Sequence, residues 1–230
     1  REVETLARGV LSGWYWHLFA RPNIIIYPRV KLGQEILKQF PRVTSVDVDT
    51  TGRHSIRIEI VEREAYGVWC AGYDTEDEAC FFLDETGFVF AEAPSFSDSQ
   101  FFIYRGALLG KSPSPIGKRF LEPGAFSGLQ FFIETLREQL NVETSMLVTK
   151  ASDQYEIFLR EEDRSSFKPR IIFNPQDGYS VVLANLQAIL ASTEFRAEAG
   201  DRLLQIDYID LRFGNKVFYK LERGGSESGP

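Results

Sequence analysis

Lys31-Leu32-Gly33-Gln34-Glu35-Ile36-Leu37-Lys38-Gln39-Phe40-Pro41 runs directly into Arg42-Val43-Thr44-Ser45-Val46-Asp47-Val48, and the turn residues Thr50-Thr51-Gly52-Arg53 then lead to Ile56-Arg57-Ile58-Glu59-Ile60. The period of the apolar residues changes inside this one stretch. Leu32, Ile36, Leu37 and Phe40 recur at helical spacing until Pro41, whose missing amide ends the helix. Val43, Val46 and Val48, then Ile56, Ile58 and Ile60, alternate on either side of a glycine-containing turn, the pattern of a hairpin. A helix feeding a hairpin, without helices between successive strands, indicates the α+β class.

Working outward, Glu2–Leu11 places Val3, Leu6, Ala7, Val10 and Leu11 on one helical face, so the front of the chain predicts two helices on a short sheet. Downstream, Val68-Trp69-Cys70 and Cys80-Phe81-Phe82-Leu83 flank an acidic loop, and Asp84-Glu85-Thr86-Gly87 turns into Phe88-Val89-Phe90-Ala91. Gln100–Tyr104 is a further strand. Ser127–Leu140 and Tyr179–Ser192 are amphipathic helices, through Leu129, Phe132, Ile133, Leu136 and Leu140 in the first and Val182, Leu183, Leu186, Ile189 and Leu190 in the second. Strands are expected near Met146–Thr149, Tyr155–Leu159, Ile171–Phe173, Leu203–Phe213 and Lys216–Leu221. The body therefore predicts a mainly antiparallel β domain with two helices. Domain limits are expected at 1–66 and 67–222, followed by a flexible polar tail at 223–230.

The chain has 230 residues, 43% hydrophobic and 26% charged, which suffices to bury a core. Its net charge of −7 argues against nucleic-acid binding, which needs a basic stripe to displace counterions. The front carries ten Lys and Arg against eight Asp and Glu, a net of +2, and the remainder a net of −9. No apolar run reaches the roughly 20 residues that cross a bilayer. The sequence opens on Arg1, so a processed form or fragment is expected, with any signal or anchor upstream removed.

Chemistry-bearing motifs are sparse. Gly106-Ala107-Leu108-Leu109-Gly110-Lys111-Ser112 has three residues between its glycines where a phosphate-binding loop needs four, and Pro113 and Pro115 oppose a helix there. A surface loop is the better reading. Asp47-Val48-Asp49-Thr50-Thr51-Gly52 resembles the start of a calcium loop, but Ile58 stands where a bidentate glutamate is required. The acidic runs Asp74–Glu78 and Glu161–Asp163 read as solvated loop tips rather than a hydrolytic pair. His17 and His54 are the only imidazoles, both in structural contexts, and no Gly-x-Ser-x-Gly elbow is present. No catalytic residue, cofactor or metal site is expected. Cys70 and Cys80 face each other across a hairpin. A bridge closing so short a loop stabilises by about 2–3 kcal/mol; two free buried thiols are the alternative.

Three ordered motifs over about residues 30–222 carry a resemblance. Leu37-Lys38-Gln39-Phe40-Pro41-Arg42-Val43 with Ile56–Val61, Glu62-Arg63-Glu64-Ala65 and Val68-Trp69 resembles the POTRA module of the FtsQ/DivIB bacterial cell-division family, with Ala65 where that family often has Pro. Phe82-Leu83-Asp84-Glu85-Thr86-Gly87-Phe88-Val89-Phe90 resembles the family's hairpin, and Ile209-Asp210-Leu211-Arg212-Phe213-Gly214-Asn215-Lys216 its closing strand and turn. POTRA modules normally open with a strand before the first helix, which is expected upstream of Arg1 or replaced.

The resemblance implies a non-enzymatic divisome scaffold that acts in septum formation. It implies a location on the extracytoplasmic face of the bacterial plasma membrane, with a single membrane helix absent from this chain, and it implies FtsB-like and FtsL-like partners. Family positions map partner binding onto Arg212, Phe213, Lys216, Val217, Phe218, Tyr219, Lys220 and Leu221. Lys216–Leu221 would be a sheet edge that receives a partner strand, and an acidic partner segment would meet Arg212, Lys216 and Lys220. The competing view of the lysines is protection of an edge against indiscriminate pairing, and that of Arg212 an ion pair with Asp210 or Asp207. Two other functions compete. A POTRA-bearing secretion or outer-membrane assembly component would continue into barrel strands, and a secreted carboxylate-dependent hydrolase would show a pocket with a perturbed acid.

Overall fold

The computed structural model describes residues 3–5, 7, 14–15, 19–20, 29–51, 55–72, 79–94, 101–150, 154–160, 169–199 and 206–221. His17, His54, the acidic runs 74–78 and 161–163, and the tail from 223 lie outside them. The chain divides into two compact units, Arg1–Glu64 and Ala65–Pro230.

In the first unit, residues 3–5 and 7 are helical. Two short strands, β1 (Trp14–Tyr15) and β2 (Phe19–Ala20), pair antiparallel. Helix α1 (Arg29–Gln39) buries Leu32 and Ile36, one turn apart. Strands β3 (Val43–Thr51) and β4 (Ser55–Glu62) form the antiparallel hairpin, with Val46 opposite Ile60, Val48 opposite Ile58 and Thr50 opposite Ile56. Because opposed residues share a face, this register aligns the apolar rows against α1. Ala7, Leu32, Ile36 and Val48 are buried there, with Val3, Phe40, Val46, Ile56 and Ile58 packed around them. Arg63 closes the open end of the hairpin: its amide donates to the Arg42 carbonyl and its Nε to the Pro41 carbonyl at 2.9 Å.

The second unit is α+β, built on one nine-stranded sheet. Its strands are β5 (Gly67–Cys70), β6 (Cys80–Leu83), β7 (Val89–Glu92), β8 (Phe102–Arg105), β9 (Thr144–Lys150), β10 (Gln154–Leu159), β11 (Arg170–Phe173), β12 (Ile206–Phe213) and β13 (Lys216–Leu221), in the order β13-β12-β11-β10-β9-β8-β5-β6-β7. Among the described strands the sheet is mixed, with five antiparallel junctions and three parallel ones. Strands β5 and β8, β8 and β9, and β11 and β12 run parallel. Each parallel junction joins strands whose connection must return across the sheet. In two of the three cases that return contains helices: α2 (Pro123–Leu140) between β8 and β9, and α3 (Tyr179–Ala191) with α4 (Thr193–Ala199) between β11 and β12.

Helix α2 starts four residues before its expected first residue, with Pro123 in the first turn where its missing amide costs nothing, and it ends at Asn141 in the left-handed conformation. The helix expected at Tyr179–Ser192 is α3, which ends at Ala191, and an unexpected second helix, α4, follows it. Ser192 adopts extended backbone, and its hydroxyl accepts from the Phe195 amide at 3.3 Å, which starts α4. The core lies between these helices and one face of the sheet. Phe126, Leu129, Phe132, Leu136, Val182, Leu186 and Phe195 meet Tyr104, Leu147, Ile157, Phe173, Ile209 and Leu211. Cys70 and Cys80, opposite each other at the β5–β6 end, form a disulfide.

Candidate functional site

The two ends of the sheet are unlike. At β7, the segment 117–120 runs along the outer side: Val89 N–H donates to the Lys118 carbonyl at 2.8 Å, Gly117 N–H to the Val89 carbonyl at 2.8 Å and Phe120 N–H to the Gly87 carbonyl at 2.9 Å. At β13, the backbone bonds to β12, and no other described residue pairs with it. Antiparallel pairing uses only one edge of a strand, so the outer amides and carbonyls of Lys216–Leu221 face away from the sheet.

The hairpin that carries this edge is fixed by register and by a turn. Gly214 has φ +64°, the left-handed conformation favoured by the tight Gly214-Asn215 connection. Asn185 of α3 donates its side-chain amide to the Gly214 carbonyl at 2.6 Å. Phe213 lies opposite Lys216, Asp210 opposite Phe218, Ile209 opposite Tyr219, Tyr208 opposite Lys220 and Ile206 opposite Leu221. Val217, Tyr219 and Leu221 point toward the core and pack against it. Tyr219 meets the Phe195 ring edge-on at 5.0 Å and donates its hydroxyl to Glu198 at 2.8 Å. Lys216, Phe218 and Lys220 form the exposed row. Phe213 and Phe218, each 52% exposed, meet edge-to-face at 5.1 Å.

The three cations expected to face an acidic partner are not equivalent. Arg212 grips Asp210 with two nitrogens, Nε at 2.9 Å and Nη2 at 2.6 Å, and reaches Gln154 with the third. Asp210 is buried, so this ion pair belongs to the sheet itself. Lys220 bonds Asp207 at 2.6 Å. Asp207 also meets Arg170 at 3.2 Å; Arg170 in turn lies 3.9 Å from Glu156, which Lys150 contacts at 2.6 Å. Cations and carboxylates thus alternate across β9 to β13. The Lys220 hydrogen bond, reinforced by Arg170, holds the Asp207 carboxyl below its ordinary value. Among the described residues no carboxylate pairs with Lys216.

Sequence reasoning named the edge residues and offered Asp207 or Asp210 for Arg212, but it missed the bond between Asp207 and Lys220. A β-bulge between Ile206 and Tyr208 turns Asp207 toward Lys220, although Tyr208 holds the register position opposite it. The sequence marks no such bulge.

Chemical alternatives find little support in the geometry. No helix begins near Lys111 or Ser112; the next one starts at Pro123. Among the described residues, no cluster of three or more His, Cys, Asp and Glu is placed to hold a metal, and no helix is long and apolar enough to cross a membrane. Three carboxylates are buried among the described residues. Asp84 accepts from the Thr86 amide, the Thr86 hydroxyl and the Phe88 amide. Glu156 accepts from Lys150 and Gln154, and Asp210 from Arg212. Each is engaged within the chain, so none is presented to a substrate. No family model and no curated protein matches this sequence.

Proposed function

We propose that this chain is a non-enzymatic scaffold of the FtsQ/DivIB kind. In this reading the first unit acts as a POTRA-like module, and the second captures FtsB-like and FtsL-like partners on strand β13 during septum formation. The observation that carries the reading is the outer edge of β13, with which no other described residue pairs, at the end of a sheet whose opposite end is covered by the segment 117–120. A docked strand completes the hydrogen bonds of such an edge, and its lysines restrict which strands can do so. The disulfide supports an oxidising, extracytoplasmic location. The engagement of each buried carboxylate among the described residues favours binding over hydrolysis.

The test combines capture with backbone exchange. Mixed with FtsB-like and FtsL-like ectodomains, the chain is expected to retain them through gel filtration, with amide exchange slowed at 216–221. Val217→Pro places a rigid ring in the receiving strand and is expected to abolish retention while the melting temperature of the second unit stays within a few degrees. Retention by the variant equal to that of the parent, or slowed exchange elsewhere and none at β13, refutes the edge reading.

A further inference from the structure

The side chains beside the open edge specify more than the presence of a strand. Resting on the edge-docking reading above, we infer that the partner strand carries an apolar or aromatic residue facing Phe218 and, two positions along, a single carboxylate facing Lys216, with no acid required at Lys220. Three observations lead there. Lys216, Phe218 and Lys220 share the exposed face of β13 at alternate positions, so a strand paired to it presents residues n and n±2 to them. Phe218 and Phe213 leave about half of each ring open to solvent beside that edge, an apolar platform next to unpaired amides. Lys220 already holds Asp207 at 2.6 Å and Arg212 already holds Asp210, so Lys216 is the cation of this edge without a carboxylate among the described residues. A carboxylate placed at Lys216 neutralises it; one placed at Lys220 competes with an anion already bound.

The same row argues against a second copy of this chain as the occupant. A symmetric antiparallel pairing centred on Phe218, the register that overlaps most of the strand, sets Lys216 of each copy directly opposite Lys220 of the other. Like charges directly opposed across a pair are destabilising. The spacing also reports direction. In an antiparallel partner the carboxylate follows the apolar residue by two positions; in a parallel partner it precedes it by two.

The test uses random nine-residue peptides displayed on phage and selected on the full chain, with the consensus peptide then synthesised and measured by fluorescence anisotropy. The expected consensus pairs an aromatic or large apolar residue with Asp or Glu two positions away. Lys216→Glu is expected to weaken that peptide by about tenfold and, on reselection, to replace its acid with Lys or Arg. Lys220→Gln is expected to change its affinity by less than about threefold. Peptides that slow exchange at 216–221 but show no acid at that spacing, or whose acid preference survives Lys216→Glu, overturn this inference and leave edge docking standing. Peptides that bind without slowing exchange there, or a selection that yields none, overturn both.

Discussion

At Gly106 a side chain has no room. Its φ is +135°, and a Cβ placed on it would lie 1.9 Å from the Thr149 hydroxyl oxygen and 2.9 Å from the Thr149 carbonyl. That glycine also lends its carbonyl to the Trp69 indole at 3.0 Å, so β5, β8 and β9 converge on it. Gly106→Ala is expected to cost about 2–4 kcal/mol, read as a fall in the urea midpoint of the second unit. Asp207 makes a prediction of a different kind. Its native carboxyl is held below the ordinary 3.8 by Lys220 first and Arg170 next, so it binds its proton less readily folded than unfolded. The stability this contributes is complete well above pH 3.8, begins to go as pH falls through that value and is gone once pH passes the depressed native value. Asp207→Asn is therefore expected to be less stable than the parent at pH 6, with the gap narrowing as pH falls below 3.8; a gap that stays constant with pH contradicts the linkage.

Among the elements, α4 and β13 depend on one another. Phe195 is buried, and its ring meets that of Tyr219, so a seven-residue helix forms the floor of the edge strand. Phe195→Ala is expected to destabilise the unit by about 3–4 kcal/mol and to speed amide exchange at 217–221 more than at β9 or β10. A uniform loss across all strands would mean that α4 does not support the edge in particular. The elements also mark where sequence was readable. Pro41 and the alternation of Ile56, Ile58 and Ile60 locate α1 and β4, because local sterics and a single buried face decide them. Helix α4 was missed because Tyr179–Ser192 continues into it without an obvious break; its one signal is the serine that caps it. The parallel junctions were invisible for a firmer reason. Val68 pairs with Ile103 and Ile103 with Met146, partners chosen by the packing of α2 over the sheet rather than by anything near them in the chain. The edge itself was legible in the two lysines of a short closing strand. Which of them has no carboxylate partner among the described residues was not, because that depends on a bulge.

The whole molecule contains two cores of unequal size. Among the described residues, twenty-three buried side chains cluster in the second unit, against four in the first. Small cores leave little margin over conformational entropy. Amides of β3 and β4 are therefore expected to exchange faster than those of β9–β12 in native-state hydrogen exchange, and to lose protection at a lower urea concentration. Equal protection would mean that the hairpin borrows stability from beyond its own core.

From β9 onward, position in the sheet follows position in the chain: β9, β10, β11, β12 and β13 lie side by side in the order in which a ribosome makes them. Each strand after β9 therefore lies beside the one made just before it, so the order of synthesis is also an order in which the row can be extended sideways. Lateral growth of this kind needs no rearrangement of what has already formed. A partner segment that docks on β13 would take the next place in that row, lengthening it by one strand beside the last.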